Sequence, residues 1–283
     1  MNEINNKILE EQDLQSMLNL AENLQFQNLE GMVNAHKVYN IVLDKLLEQR
    51  NKKTSKLIGL IHQKLWEIEK KFGWHNHFFS QAGQDKIIYE HFFKRMSGHK
   101  YFVDIGAYDG VKGSNSYFFE KRLNWNGVLI EPSRKQFKEL QKNRSTDCIN
   151  TAISNKVELV EFVEVVNGLT QMSGLNTPSF ENNYKLINSD IYSETEIYEI
   201  KTSTFNDLIK HKDIDYLSID VEGGELSLLE SLDFQFYKIK VISIENNQPN
   251  EISYNDLMKQ NGFQLFDYVG ADEIYYNPQN LTL

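Results

Sequence analysis

The stretch FVDIGAYDGVKGSNS (102–116) decides the fold. An apolar run ends at a carboxylate, Asp104; Gly106 and Gly110 permit a tight turn; Ser114-Asn115 can cap a following helix. That is how a parallel βαβ unit begins. Around it the texture repeats. YFVDIG (101–106), GVLIEP (127–132), IDYLSIDVEGG (214–224) and IKVISIENN (239–247) are short apolar runs, each with an Asp or Glu at its end. Helical stretches at 114–123, 133–143, 224–232 and 254–261 separate them. Alternation at this pace predicts an α/β fold with an open, doubly wound, mostly parallel sheet. Ligands bind such sheets at the carboxyl ends of the strands, so the terminal carboxylates form a row along the ligand edge. FQLFDYV (263–269) and DEIYYN (272–277), joined by Gly270-Ala271, predict a closing hairpin. Residues 155–200 are less regular. VELVEFVEVV (157–166) alternates like an antiparallel strand, and the turn-rich NGLTQMSGLNTPSF (167–180) predicts a long lid or recognition loop.

Upstream of residue 75 the pattern is helical. Leu14, Met17, Leu18, then Val38, Ile41, Val42, Leu46, then Leu57, Ile58, Ile61, Leu65 and Ile68 recur three to five apart. This spacing predicts two to four amphipathic helices, with breaks near Gly31 and in 51–55. The extension 1–75 is either an oligomerisation arm, which would make a homo-oligomer, or a set of helices packed on the domain 76–283. Thirty basic against forty acidic residues give a net charge of −10, which argues against a nucleic-acid partner. No run approaches the ~18 apolar residues of a membrane span. The polar start MNEINNKILEEQ lacks the apolar core of a secretory signal, and Cys148 has no second cysteine to pair with, so a cytoplasmic protein is expected.

The glycine loop departs from the dinucleotide fingerprint G-x-G-x-x-G. Gly106-Ala107-Tyr108-Asp109-Gly110 lacks the second glycine and carries an acid where a phosphate would need neutral or positive surroundings. Such a loop suits a cationic or zwitterionic ligand, for example the sulfonium and amino-acid part of S-adenosylmethionine. Glu131 ends the next strand, where a carboxylate accepts the hydroxyls of a cofactor ribose.

Several motifs then follow in order: SQAGQDKIIYEHFF (80–93), FVDIGAYDG (102–110), SNSYFFEKRLNWNGVLIEPS (114–133), TAIS (151–154), IDYLSIDVEGGELSLLESL (214–232) and DEIYYN (272–277). Together they resemble the FkbM family of S-adenosylmethionine-dependent methyltransferases over about residues 78–278. The resemblance implies the Rossmann-like class I methyltransferase fold, a seven-stranded sheet, and methyl transfer to a hydroxyl of a sugar or polyketide-type molecule. Carried over by position, it implies that Asp104, Gly106, Glu131 and the turn Ala152-Ile153-Ser154 line the cofactor site. Ser114 and Asn115 stand with them, and Ser80, Gln81 and Gln84 fold over the cofactor. A carbohydrate acceptor, such as a nucleotide-activated sugar bound for surface polysaccharide, follows from family tendency. Residues 1–75 have no counterpart in it.

Methyl transfer to an alcohol needs in-line alignment and a base or a metal for the hydroxyl proton. Asp220, Glu222 and Glu245 are the candidates, all at the carboxyl edge; Asp220 also stands near the cofactor's reactive end. Glu225 reads instead as an acidic first helical turn. Asp220, Glu245 and Asn246 form a candidate set of oxygen ligands for Mg²⁺ or Mn²⁺. His75, His77 and His99 lack metal-ligand spacing, and no G-x-S-x-G, P-loop or C-x-x-C is present. Two alternatives compete: a nicotinamide-dependent oxidoreductase on a similar sheet, and a non-catalytic binding module that works through its helical arm.

Overall fold

The computed structural model describes residues 14–48, 54–248 and 252–281. Three amphipathic helices come first: α1 (Leu14–Gln25), α2 (Leu29–Glu48) and α3 (Ser55–Lys71). Their inward faces form a core of their own, with Met17, Val38, Val42, Leu46, Ile58 and Ile61 among its buried members. The break lies at residues 26–28, just before Gly31. A Cβ on Gly31 would sit 2.3 Å from the Leu24 carbonyl oxygen, so this glycine lets α1 and α2 touch. The break expected in 51–55 falls mostly outside the described residues, as does the stretch 1–12. No described helix is long and apolar enough to cross a membrane.

After α4 (Gln84–Ile88) and a π-helical turn, the sheet begins: β1 (Tyr101–Ile105), α5 (Tyr117–Leu123), β2 (Asn126–Ile130), α6 (Arg134–Asn143) and β3 (Asp147–Ile149). An insertion follows, made of β4 (Ala152–Ile153), β5 (Leu159–Asn167), β6 (Gly174–Leu175), α7 (Glu181–Ser189) and β7 (Glu194–Ser203). The chain then passes through α8 (Phe205–Leu208), β8 (Asp213–Ile219), α9 (Glu225–Ser231), β9 (Lys238–Glu245), α10 (Asn255–Gln260), β10 (Gln264–Val269) and β11 (Asp272–Tyr276).

The main sheet has seven strands in the order β10-β11-β9-β8-β1-β2-β3. It is parallel except at β11, which runs antiparallel to both neighbours. Alternate residues of β1 explain why the run reads as continuously apolar. Phe102 belongs to one buried layer, with Phe119 and Leu129, and Val103 to the opposite layer, with Val128 and Leu217. A strand covered on both faces has no polar side to show. Because β1 lies between β2 and β8, the chain turns one way after β1 and the other way at β8. That strand-order switch opens a crevice at the carboxyl end of β1.

The insertion builds a second sheet, β4-β7-β5-β6. Its strand β5 pairs antiparallel with β7 along nearly its whole length. The region expected as a long loop, 167–180, instead holds β6 and two short 3₁₀ turns.

Helix α3 lies directly against the β10–β11 hairpin. Gly270 N donates to the Gly59 carbonyl at 3.0 Å, and a Cβ on Gly59 would sit 2.1 Å from the Gly270 carbonyl oxygen. His62 Nε2 lies 3.0 Å from Asp267 Oδ2. Trp66 Nε1 donates to the Ser80 carbonyl at 3.1 Å. At the level of α3, the extension is packed on the sheet domain.

Candidate active site

The crevice at the end of β1 widens into a cavity of about 380 Å³, within the ordinary range of small-ligand sites. Gly106 sits at its base with φ +84. Gly106 and Ala107 donate their backbone N–H groups to the Ile130 carbonyl, which ties the loop to β2.

Glu131 follows β2. Its Oε1 accepts the Ser133 N–H at 2.7 Å and its Oε2 the Tyr108 N–H at 2.8 Å. A carboxylate has about four acceptor positions, so both oxygens keep capacity for a ligand's hydroxyls. Burial pushes the Glu131 carboxyl up to about 7, against the pull of those two N–H groups and with help from Asp220 and Glu164. Gln81, Gly106, Ala152, Ile153 and Ser154 also line the cavity.

Other residues assigned to the cofactor lie behind this wall. Ser80 Oγ donates to Asp85 at 2.5 Å. Gln84 accepts the Ala82 N–H and donates to Asp272. Asp104 accepts from Ser116 Oγ at 2.5 Å. Ser114 Oγ accepts the Ser116 and Tyr117 N–H groups in the turn before α5, whose N-cap position is Ser116 and not Ser114 or Asn115. Asn115 donates to Ser218 Oγ at 3.1 Å. None of these five lines the cavity; they brace the loop that does. Asp109 is turned aside as well. Its Oδ1 accepts the Val111 and Lys112 N–H groups, and it does not line the cavity.

At the far end of the cavity, Asp220, Glu222 and Glu245 each bring a carboxylate oxygen within 4.8 Å of the others. Burial raises all three. Asp220 reaches only about 7, because a hydrogen bond from Glu245 works against its burial and against the charges of Glu225 and Asp104. Glu245 lies well above its usual range through burial and the neighbouring charges of Asp220 and Glu222. Glu222 is likewise well above, through burial, Asp220 and Glu225. The arrangement gives different roles to similar groups: Glu245 keeps its proton and donates it to Asp220, which is the carboxylate that ionises first. Glu225 behaves as a helix start, accepting the Val221 and Gly223 N–H groups.

The set Asp220–Glu245–Asn246 is not assembled as a metal site. Successive residues at a strand end point to opposite sides, and Asn246 faces the hairpin. Its Nδ2 donates to the Ile252 carbonyl and to Glu273, and its Oδ1 accepts the Gln248 N–H.

The insertion supplies lining residues that sequence reading did not name singly. Phe162, Thr170, Gln171, Ser173, Thr177 and Ser179 form much of the opposite wall, and all but Phe162 fall in the segment 167–180 expected as a lid or recognition loop. Tyr108 reaches across to Thr170, with the two hydroxyl oxygens 2.6 Å apart. Asp272, pushed up to about 7 by burial and by Asp220, joins Gln84 and Asn115 beneath the cavity. Asp272 also carried a signal, as the acid that opens the terminal DEIYYN.

The profile of the FkbM methyltransferase domain matches residues 104–265, more than half of the chain. The chain belongs to the FkbM methyltransferase family. The matched domain is a methyltransferase domain, not that of a nicotinamide-dependent oxidoreductase. Solved structures similar to this FkbM-family protein include a methyltransferase FkbM from Methylobacillus flagellatus KT, 15% identical with a TM-score of 0.44, covering 84% of this chain and 59% of that one. The chain thus spans under two thirds of that relative's length. Also similar are the N-terminal domain of human METTL16 in complex with SAH, 9% identical with a TM-score of 0.38, covering 69% of this chain and 66% of that one, and a methyltransferase from Geobacter sulfurreducens, 11% identical with a TM-score of 0.38, covering 75% and 84%. No curated protein matches the chain.

Proposed function

We propose that this protein transfers the methyl group of S-adenosylmethionine to a hydroxyl of a carbohydrate. One observation carries the reading: Glu131 and the Asp220–Glu222–Glu245 group open into a single cavity, with the strand-order switch between them. The donor set fits the cofactor. Glu131 would hold the ribose hydroxyls, the Ala152–Ser154 turn would flank the base, and carboxylates suit a cationic ligand. Bound S-adenosylmethionine supplies an electrophilic methyl group on a positively charged sulfur.

The chain's own residues do the rest. Asp220, ionised near neutrality and steadied by the Glu245 proton, accepts the hydroxyl proton of the acceptor at its carboxylate oxygen. Glu222 and the second oxygen of Glu245 are placed to hold neighbouring hydroxyls, the pattern a sugar offers. The insertion roofs the cavity and keeps bulk water from the acceptor. Five carboxylates line this space, from Glu131, Glu158, Asp220, Glu222 and Glu245. A nucleotide-activated sugar would therefore bring its sugar end inside and leave its diphosphate outside.

The test is transfer of a labelled methyl group from S-adenosylmethionine to a panel of neutral sugars, amino sugars and nucleotide sugars. Label on a sugar oxygen is the expected product. Transfer confined to non-carbohydrate acceptors would overturn the reading.

A further inference from the structure

We propose that Asn183, carried on α7 of the insertion, is a positioning residue that holds Glu222 toward the acceptor. The inference rests on the functional reading above. Asn183 Nδ2 donates to Glu222 Oε2 at 2.6 Å, across 39 residues of sequence. Glu222 sits in the left-handed region, φ +58, in the turn between β8 and α9, where its own backbone leaves the side chain few directions. Three residues of the insertion, Gly174, Ser179 and Asn183, approach this turn. Gly174 of β6 borders the Glu222 side chain: a Cβ there would lie 3.5 Å from Glu222 Cβ, an ordinary contact, and 2.6 Å from the Phe180 ring. The Ser179 carbonyl presses on the next residue, where a Cβ on Gly223 would come within 3.0 Å of it. Asn183 adds the hydrogen bond. Gly174, Ser179 and Glu222 also line the cavity, so the roof and the group it fixes meet the same ligand.

The chemistry follows from the partners. The acids that face Glu222 are Asp220 from the end of β8, Glu225 from α9 and Glu245 from the end of β9. Their repulsion would turn an ionised Glu222 away from the cavity. An amide N–H is a donor that opposes that tendency without adding charge, and it lowers the Glu222 carboxyl against burial and those neighbours. An acceptor held by Glu222 is thus indirectly held by Asn183, while Glu131 and the cofactor end are untouched.

The experiment compares the full-length parent with Asn183→Ala and Asn183→Asp. Asn183→Ala should raise the acceptor KM about tenfold, the loss of one hydrogen bond to a charged or shared group, and leave the affinity for S-adenosylhomocysteine within about twofold. Asn183→Asp should lose activity progressively as pH rises, because it adds a fourth carboxylate facing Glu222. NMR titration of ¹³C-labelled Glu222 carboxyl, with S-adenosylhomocysteine bound, gives a readout free of any acceptor: Asn183→Ala should raise its midpoint. A parent-like acceptor KM together with a parent-like Glu222 titration would overturn the proposal, as would a lower melting temperature with unchanged kinetics. If the parent methylates no carbohydrate, the function reading fails, and the titration alone decides whether Asn183 holds Glu222.

Discussion

A Cβ on Gly106 would lie 1.7 Å from the backbone carbonyl oxygen of Asp220. The glycine loop after β1 and the Asp220 loop after β8 thus approach closely at the strand-order switch, where both Gly106 and Asp220 line the cavity. Gly106→Ala should separate the two loops as well as strain a left-handed residue, a conformation that costs an alanine about 1–2 kcal/mol by itself. The expected result is a folded protein whose affinity for S-adenosylhomocysteine falls at least tenfold by calorimetry. Unchanged affinity would show that the loops tolerate separation.

Glu131→Ala removes the carboxylate that faces the cavity beside Tyr108 and Ser133. Cofactor binding should weaken by about 1–3 kcal/mol, the cost of losing a charged hydrogen-bond partner. Equal binding by variant and parent would remove the ribose from Glu131.

Asp220→Asn should leave cofactor binding near the parent level and lower kcat by about 10²–10⁴-fold, the usual range for a general base. In the parent, kcat should rise with pH through about 7, where the Asp220–Glu245 pair loses its first proton to give the ionised base. A flat profile from pH 6 to 8 would exclude Asp220 as that base.

Chelation is a separate check. The Asn246 amide is committed to Ile252, Glu273 and Gln248. We read the Asp220–Glu222–Glu245 oxygens, which lie within 4.8 Å of one another, as a protonated, hydrogen-bonded group. Turnover should therefore survive exhaustive EDTA treatment. Loss of activity restored by Mg²⁺ or Mn²⁺ would reverse that expectation.

The ligand-free protein should lose stability as pH rises. Glu131, Asp220 and Asp272 are each raised to about 7 from 4.5, 3.8 and 3.8, chiefly by burial. The folded state therefore keeps protons that the unfolded chain releases, so their stabilisation is full below about pH 4 and is lost through about 7. Glu69 and Glu120 act oppositely. Hydrogen bonds from His36 and Lys86, and from Lys121, the Ser145 N–H and Arg144, outweigh burial and hold both at about 2. Their contribution is present above about 4.5 and fades toward 2. Melting temperature should peak near pH 5; a maximum at pH 8 would contradict the burial of the cavity acids.

By itself the sequence determined the sheet and the cofactor edge. YFVDIG, GVLIEP, IDYLSID and IKVISIEN are legible because a strand buried on both faces is apolar along its length, whatever packs on it. Asp220, Glu131 and Glu245 were legible because they fall at or just past the carboxyl ends of β8, β2 and β9, the edge where such sheets bind ligands. Strand β7 was not: ETEIYEIKTS (194–203) has one wet face, and its partner β5 is known only once the chain has folded back. The opposite directions of Glu245 and Asn246, the retreat of Ser80, Gln84 and Asp104 behind the cavity wall, and the Asn183–Glu222 bond belong to the tertiary structure alone. The Gln84–Asp272 and Asn183–Glu222 bonds in particular depend on which groups far apart in sequence come within 3 Å or so in space, and no spacing along one chain encodes that distance.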